Sequence, residues 1–308
     1  SGFVINYAYN DRLKEMTTAS FFKRRLIRLH PMLIMGAFIG LICFLIGGSE
    51  QWNGNTIPFY ISIITFLLTC LMIPALPGSF NEVRGNGELF PLNGPMWSLF
   101  FEYIGNILYA IFIRRLSTKL LTFVVILLGI LHSIFTIGNL SGYGNLGVGW
   151  TFNTINFFGG MLRMLFPFTL GMLISRRFKA IKLPYPFLIC SILLIATLSM
   201  PYLSAFKAIN FNGIYESFCI TVIFPLILII GASSQEKSKL SQTLGELSYP
   251  LYIIHYPIMY IFYQWLIKTK QYTLSETYPV SILVVILSIV LAFILLKLYD
   301  KPLRQRLK

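Results

Sequence analysis

Long apolar runs alternate with short polar segments over the whole chain of 308 residues. A helix needs about 20 mostly apolar residues to cross the hydrocarbon core of a bilayer. Nine runs approach that length, and together they cover more than half of the sequence. The pattern predicts an all-α, polytopic transmembrane helical bundle with about eight to nine membrane helices in this chain. The runs span residues 31–48, 57–75, 96–113, 120–138, 156–175, 185–203, 214–232, 249–267 and 279–298.

The polar gaps between the runs are too short to form a soluble domain with a core of its own. We find no internal repeat and no low-complexity tract, so we expect a single membrane domain over residues 1–308. One gap, NEVRGNGELFPLNGP (81–95), is a candidate re-entrant segment. Such a segment is stable only where protein or a water-filled cavity surrounds it.

Composition supports the membrane class. Hydrophobic residues make up 56% of the chain, charged residues only 12%, and the mean hydropathy is +0.72, whereas soluble domains carry about 25% charged residues. The excess of 25 Lys and Arg over 11 Asp and Glu does not indicate a nucleic-acid partner. The basic residues lie in short loops, as expected for the cytoplasmic side of a membrane protein next to anionic lipid headgroups.

The basic loops also test the topology. Four basic segments are expected on the same side of the membrane, because two runs separate each segment from the next. They are 114–119, 176–184, 232–248 and the C-terminal tail. A dense basic cluster near the N-terminus would face the opposite side if all three following runs crossed the membrane. Either one of the first three runs does not cross fully, which we favour, or the cluster is functional and breaks the rule. The cluster consists of Arg12, Lys14, Lys23, Arg24, Arg25 and Arg28.

Two ionisable residues inside apolar runs are candidates for a functional site, because charge in a membrane is costly. Glu102 shares a predicted helical face with Ser98 and Tyr109. Arg163 lies in FFGGMLRMLFPFTLGML, and a buried guanidinium requires an anion. One alternative is that the Glu102 face only binds helices together. Another is that Arg163 forms a structural ion pair with Glu102.

Two further groups of residues suggest chemistry. Ser248, Tyr252 and His255 have the spacing of one helical face, and histidine titrates nearest to neutral pH. Arg25 and Arg28 are three residues apart, ahead of a helix that we expect to begin near Pro31, and paired guanidinium groups bind phosphate well. The alternatives are a structural histidine and a basic collar that contacts headgroups.

The four cysteines form no CxxC pair or His/Cys cluster, so we predict no metal site.

Five motifs follow one another along the chain: SGF (1–3), FFKRRLIRLHP (21–31), PMWSLFFEY (95–103), RMLFPFTLGML (163–173) and LGELSYPLYIIHYP (244–257). In this order they resemble the motifs of the integral-membrane acyltransferase 3 family. The closing segment DKPLRQRL also resembles the end of that family's core, which has roughly ten helices. The likeness extends over nearly the whole chain.

The resemblance implies an O-acyltransferase that moves an acyl group, commonly acetyl, from acyl-CoA to a hydroxyl of an envelope polysaccharide, glycan or lipid. The expected location is the bacterial cytoplasmic membrane. Arg25 and Arg28 would bind the phosphates of CoA. Three residues would take part in catalysis: Glu102, Arg163 and His255. Five would contact the substrates: Trp97, Ser98, Ser248, Tyr249 and Tyr252.

The resemblance also implies that the family's catalytic base is a histidine on a first helix, upstream of SGF. The sequence begins at Ser1, after that position. We therefore expect an N-terminally truncated chain, and an inactive form of the enzyme is one alternative. A transporter or flippase of envelope precursors is another alternative, because intramembrane Glu and Arg also line substrate pathways. A non-catalytic membrane scaffold is a third.

Overall fold

The computed structural model describes residues 1–9, 12, 16–203, 210–234 and 238–307, which fold into helices without a β-strand. Three basic residues lie outside this described part: Lys14 of the N-terminal cluster, Lys237 of the loop 232–248 and Lys308 of the C-terminal tail. The helices are α1 (Gly2–Tyr9), α2 (Thr18–Ile46), α3 (Phe59–Cys70), α4 (Met96–Ile111), α5 (Thr118–Ile137), α6 (Thr154–Arg177), α7 (Pro186–Leu198), α8 (Phe211–Phe218), α9 (Phe224–Ser233), α10 (Lys239–Thr269), α11 (Leu274–Leu295) and α12 (Lys301–Leu307).

Within the described residues, five helical segments are long and apolar enough to cross a membrane, in agreement with a polytopic helical bundle. The predicted number of eight to nine is not confirmed. Helices α3 and α7 have only 12 and 13 residues, about 18 to 20 Å at 1.5 Å per residue. Both are shorter than the hydrocarbon core of about 30 Å. The five segments are Thr18–Ile46, Thr118–Ile137, Thr154–Arg177, Phe211–Ser233 and Leu274–Leu307.

Local sequence explains several helix ends. Ser117 and Asn153 cap α5 and α6 by accepting hydrogen bonds from backbone N–H groups of the first turn, and Thr273 and Glu276 form a capping box at α11. The expectation that a helix begins near Pro31 is wrong. Helix α2 begins at Thr18 and continues through Pro31, because the basic segment before the proline is itself composed of good helix formers.

The chain divides into two compact units. The first unit comprises residues 1–18, 101–149 and 153–237, and the second comprises 19–100, 150–152 and 238–308. In the first unit, α6 packs against α1, α5 and α9. Close packing of α1 on α6 depends on glycine, since a side chain at Gly2 would overlap the backbone carbonyl of Phe168.

A π-helical turn, Cys219–Ile223, joins α8 to α9 in the first unit. Such turns hold one extra residue and are common near functional sites. Cys219 is buried, and Ile220 packs on the cluster formed by Phe135, Leu146 and Val148.

In the second unit, a non-helical segment follows α3 and leads to α4. Within it, Arg84, Phe90 and Asn93 are fully buried, as expected for irregular backbone that protein surrounds. The apolar core around it is formed by residues of α2 and of this segment: Leu41, Phe44, Val83 and Leu92.

Candidate active site

The predicted site residues are distributed over both units. Glu102 and Arg163 belong to the first unit. The others belong to the second unit, on α2, on the first turn of α4 and on α10; they are Arg25, Arg28, Trp97, Ser98, Ser248, Tyr249, Tyr252 and His255.

The second unit brings the start of α4 onto α10. The hydroxyl groups of Ser98 and Tyr252 lie 2.5 Å apart, and either can donate the hydrogen bond. The Tyr252 hydroxyl also lies 3.0 Å from the carbonyl oxygen of Pro95, and the Ser98 hydroxyl lies 3.1 Å from the same oxygen. Tyr252 remains 37% exposed, so this polar group can meet a ligand.

His255 lies one turn after Tyr252, and its geometry fixes the tautomer of the neutral ring. Its Nδ1 is 3.1 Å from the carbonyl oxygen of Leu251 and 2.9 Å from that of Tyr252. Carbonyl oxygens only accept hydrogen bonds, so Nδ1 carries the hydrogen and Nε2 keeps a lone pair. The ring is half-buried between the rings of Tyr252 and Tyr256, at centroid distances of 6.0 and 5.7 Å. The Nε2 atom can therefore accept a proton or a hydrogen bond.

A second contact connects α10 with α2. The Tyr249 hydroxyl donates a 2.7 Å hydrogen bond to the carbonyl oxygen of Leu29. That carbonyl directly follows Arg28, which is exposed, whereas Arg25 is only 5% exposed. The two arginines of the predicted phosphate site therefore differ in environment, although one turn of α2 carries both.

Asp300 is a further candidate residue, which the sequence did not predict. It is fully buried and forms an ion pair with Arg304 one turn later. Arg28 and Lys301 also interact electrostatically with it. Lys301 also forms an ion pair with Glu246 at 2.6 Å. Three cations therefore face two carboxylates, which leaves one positive charge that suits an anionic ligand. An aspartate directly after the long apolar run 279–298 is the sequence signal for it.

The remaining motif residues of the second unit are close to solvent or to the helix surface. Trp97 is half-buried in the first turn of α4. Ser248 is exposed, and its hydroxyl donates a 2.8 Å hydrogen bond to the carbonyl oxygen of Gly245 in the same helix. Both side chains are accessible for contact with a substrate.

In the first unit, Glu102 accepts a 2.9 Å hydrogen bond from the Ser1 hydroxyl. Nη1 of Arg163 donates a 3.2 Å hydrogen bond to the carbonyl oxygen of Val148. Both ionisable side chains are half-buried.

Arg163 also lines a cavity of about 490 Å³ between α6, α7 and the α8–α9 segment. The polar wall includes Glu216, which accepts a 2.6 Å hydrogen bond from the backbone N–H of Leu146. Most of the other wall is apolar and includes Pro167 and Ile220. The volume is in the range of small-molecule sites.

Arg84, Glu88 and Tyr260 form a further cluster that the motifs did not indicate. The Arg84 guanidinium lies over the rings of Phe44, Trp52 and Tyr260, at 4.8, 5.0 and 4.1 Å from their centroids. Tyr260 donates a short hydrogen bond to Glu88 Oε2. The available sequence signal was an arginine between two glutamates in a gap that also contains three glycines.

Among the described residues, no group of three or more His, Cys, Asp and Glu side chains is arranged to hold a metal ion. The four cysteines are free thiols.

Comparison with known proteins identifies the family. A family model described as an acyltransferase domain matches residues 1–297, which include residues of both compact units. No curated protein and no solved structure gives a significant match. The ordered motifs, the helical bundle and this match over most of the chain agree, and the chain belongs to the acyltransferase 3 family of multi-pass membrane acyltransferases.

Proposed function

We infer that the protein is an O-acyltransferase that moves an acyl group, acetyl in the simplest case, from acyl-CoA to a hydroxyl of an envelope carbohydrate or lipid. The proposed location is the bacterial cytoplasmic membrane. The observation that carries the proposal is the meeting of two family motifs in the second unit, where Ser98 contacts Tyr252 one turn before His255.

In the proposed reaction, the acceptor hydroxyl oxygen attacks the carbonyl carbon of the thioester. A C–O bond forms, the C–S bond breaks, the hydroxyl proton passes to a general base, and the departing sulfur leaves as the CoA thiol after protonation. General-base catalysis contributes about 10²- to 10⁴-fold to such a step. The roles proposed below are binding, orientation and stabilisation of charge.

Arg25 and Arg28 are proposed to bind the phosphates of CoA. The surroundings of Asp300 support this role, since the cations Arg28, Lys301 and Arg304 outnumber the carboxylates of Asp300 and Glu246 by one. Bidentate arginine–phosphate contacts are strong and directional.

His255, Ser98 and Tyr252 are proposed to orient the acceptor hydroxyl. His255 offers the Nε2 lone pair as an acceptor, and the Ser98–Tyr252 pair offers hydroxyl groups that can donate or accept. Trp97, Ser248 and Tyr249 are proposed to complete the substrate contacts. The catalytic roles of Arg163 and Glu102 are proposed from the motifs alone. A guanidinium can stabilise the negative charge that develops on the thioester oxygen, and a carboxylate can accept a hydrogen bond from a reacting hydroxyl.

The proposal is tested with membranes that contain the full natural protein. Release of CoA thiol from acetyl-CoA is measured with and without the envelope fraction of the same cells, and the acylated product is identified by mass spectrometry. We expect protein-dependent release of thiol and a product that gains one acetyl group. If the protein releases no thiol with any acyl-CoA, and cells lacking it keep the same envelope acylation, the proposed function is wrong.

Pairs of matched variants test the roles proposed for Glu102 and Arg28. We expect Glu102→Gln to reduce turnover by about 10²-fold or more, whereas Glu50→Gln should not, because Glu50 forms an ion pair with Lys268 that is partly exposed. Arg28→Ala should raise the KM for acyl-CoA, and Arg24→Ala, which removes an exposed neighbouring charge, should leave KM unchanged. Equal effects within either pair would contradict the assigned roles.

A further inference from the structure

The turn PLNGP (91–95) directly precedes α4, and hydrogen bonds hold it at four positions. The carbonyl oxygen of Pro91 accepts a 3.0 Å bond from Nε of Arg84. Asn93 donates a 2.7 Å bond from Nδ2 to the carbonyl oxygen of Ile253. The N–H of Gly94 donates to the Tyr260 hydroxyl at 3.2 Å, and Pro95 accepts from Tyr252 at 3.0 Å. Three of these four bonds therefore lead to α10.

The turn also lies too close to its neighbours to shift without breaking contacts. A Cβ atom at Gly94 would lie 2.7 Å from the Tyr260 hydroxyl oxygen and 3.0 Å from a ring carbon of Tyr256. On the α2 side, a Cβ atom at Gly36 would lie 2.9 Å from Nδ2 of Asn93. Because α10 and α2 both lie this close to the turn, the turn can occupy only one position between them.

Tyr260 connects this turn with the buried charges. Its hydroxyl accepts the hydrogen of Gly94 and donates its own to Glu88. Its ring lies under the Arg84 guanidinium, whose Nε bonds to Pro91. Arg84 and Tyr260 are almost fully buried, at 0% and 2% exposure, so water does not compete for these interactions.

We propose that Tyr260, with Arg84 and Glu88, is a positioning residue for the acyl transfer. It fixes the turn 91–95 and thereby the first turn of α4, so that Ser98 meets Tyr252 and stays one helical turn from His255. This inference rests on the proposed function, because it assigns a task to residues that touch neither reactant.

The physical reason is that the turn 91–95 sets the position of the first turn of α4. Ser98 follows Gly94 by four residues, about one turn of helix. A shift of the turn therefore passes directly to the Ser98 hydroxyl. A misplacement of about 1 Å between reacting groups can lower a rate by about 10²-fold.

The decisive variant is Tyr260→Phe, which keeps the ring under Arg84 and removes only the hydroxyl. The control is Tyr263→Phe, which removes a hydroxyl from a half-buried tyrosine on the same helix. With the full natural protein in lipid nanodiscs, we expect Tyr260→Phe to lower kcat by about 10- to 100-fold and to leave the KM for acetyl-CoA within about twofold. Tyr263→Phe should match the wild type. A Tyr260→Phe enzyme with wild-type kcat overturns the inference.

A double-mutant cycle separates positioning from general damage. If Tyr260 acts through Ser98, the loss caused by Tyr260→Phe should shrink to less than about threefold in a Ser98→Ala background, because coupled residues are not additive. If the losses in kcat caused by the two substitutions simply multiply, the inference is overturned. It is also overturned if kcat falls only in proportion to the amount of folded protein.

A third measurement needs no activity. Hydrogen–deuterium exchange followed by mass spectrometry reports on the backbone N–H groups of the peptide that contains the turn 91–95 and the first turn of α4. Tyr260→Phe removes the acceptor of the Gly94 N–H and should speed exchange in this peptide about fivefold, as expected for the loss of about 1 kcal/mol, whereas Tyr263→Phe should not. Unchanged exchange overturns the positioning role even if the protein is an active acyltransferase. Faster exchange supports it even if acetyl-CoA proves to be the wrong donor.

Discussion

The hydroxyl groups of Ser98 and Tyr252 lie 2.5 Å apart, although 154 residues separate them in the chain. The pair joins the first turn of α4 to the middle of α10, and both side chains also lie within hydrogen-bonding distance of the Pro95 carbonyl oxygen. Two motifs that were separate in the sequence therefore form one polar group at the proposed acceptor site.

We expect Tyr252→Phe to lower kcat by about 5- to 10-fold, because it removes hydrogen bonds that contribute about 1 kcal/mol each. Steady-state kinetics of CoA thiol release provide the measurement. Tyr272→Phe is the matched control, since Tyr272 is 66% exposed and should leave kcat unchanged. Equal rates for the two variants would exclude a role for the Tyr252 hydroxyl.

Removal of the Arg84 guanidinium should destabilise the second unit. Arg84→Ala empties the space over the rings of Phe44, Trp52 and Tyr260 and removes the hydrogen bond to the Pro91 carbonyl. Large-to-small changes in a core cost about 2–5 kcal/mol, so we expect a clear fall in the thermal unfolding midpoint in detergent. Arg115→Ala removes an exposed arginine and should leave the midpoint unchanged. A similar midpoint for Arg84→Ala would contradict a stabilising role of the cluster.

Glu88 should make stability depend on pH. Burial raises the pKa of the Glu88 carboxyl above its ordinary value of 4.5, against the opposing effect of the hydrogen bonds from Tyr260 and Asn86 and of the Arg84 charge, while Glu82 raises it further. Between the unfolded and folded pKa values, the folded protein binds more protons than the unfolded protein. The free energy of unfolding therefore falls as the pH rises through that window.

The test of this dependence compares wild type with Glu88→Gln by thermal unfolding at pH values from 4.5 upward. Wild type should lose stability as the pH increases, and Glu88→Gln, which does not ionise, should show a flatter profile. Identical slopes would mean that another group is responsible.

Gly2 should be intolerant of a side chain. Gly2→Ala would drive a methyl group into the Phe168 carbonyl, and overpacking of this kind costs about 1–3 kcal/mol. We expect a lower unfolding midpoint and faster proteolysis of α1. Gly245→Ala is the control, because nothing lies within 4 Å of a Cβ atom at that position. Equal stability of the two variants would contradict close packing of α1 on α6.

Hydrophobic periodicity was sufficient for helices whose apolar run coincides with their full length. The predicted run 120–138 corresponds closely to α5, Thr118–Ile137. Hydrophobic periodicity did not predict where α2 and α10 begin. These helices start 13 and 10 residues before the predicted starts at 31 and 249. In both cases a polar segment ahead of the apolar run is also helical, and for α2 the internal Pro31 gave a false sign of a beginning.

Only the part of the candidate site that depends on helical spacing could be predicted from the sequence. Helical spacing placed Ser248, Tyr252 and His255 on one face, but spacing does not identify the partner across the fold. The cluster of Arg84 and Tyr260 was missed because 176 residues separate its members and Arg84 lies in an irregular segment without periodicity. Contacts of this kind depend on tertiary packing.

The π-helical turn Cys219–Ile223 has a consequence for the evolution of this membrane segment. It stores one surplus residue between α8 and α9. One surplus residue in a regular α-helix would rotate everything after it by about 100°, but the wider turn takes up that residue with little rotation. Phe224 and Leu228, which follow the turn, line the cavity beside Arg163. A chain that lost the surplus residue would therefore keep these two side chains at the cavity and lose only the widened turn beside it.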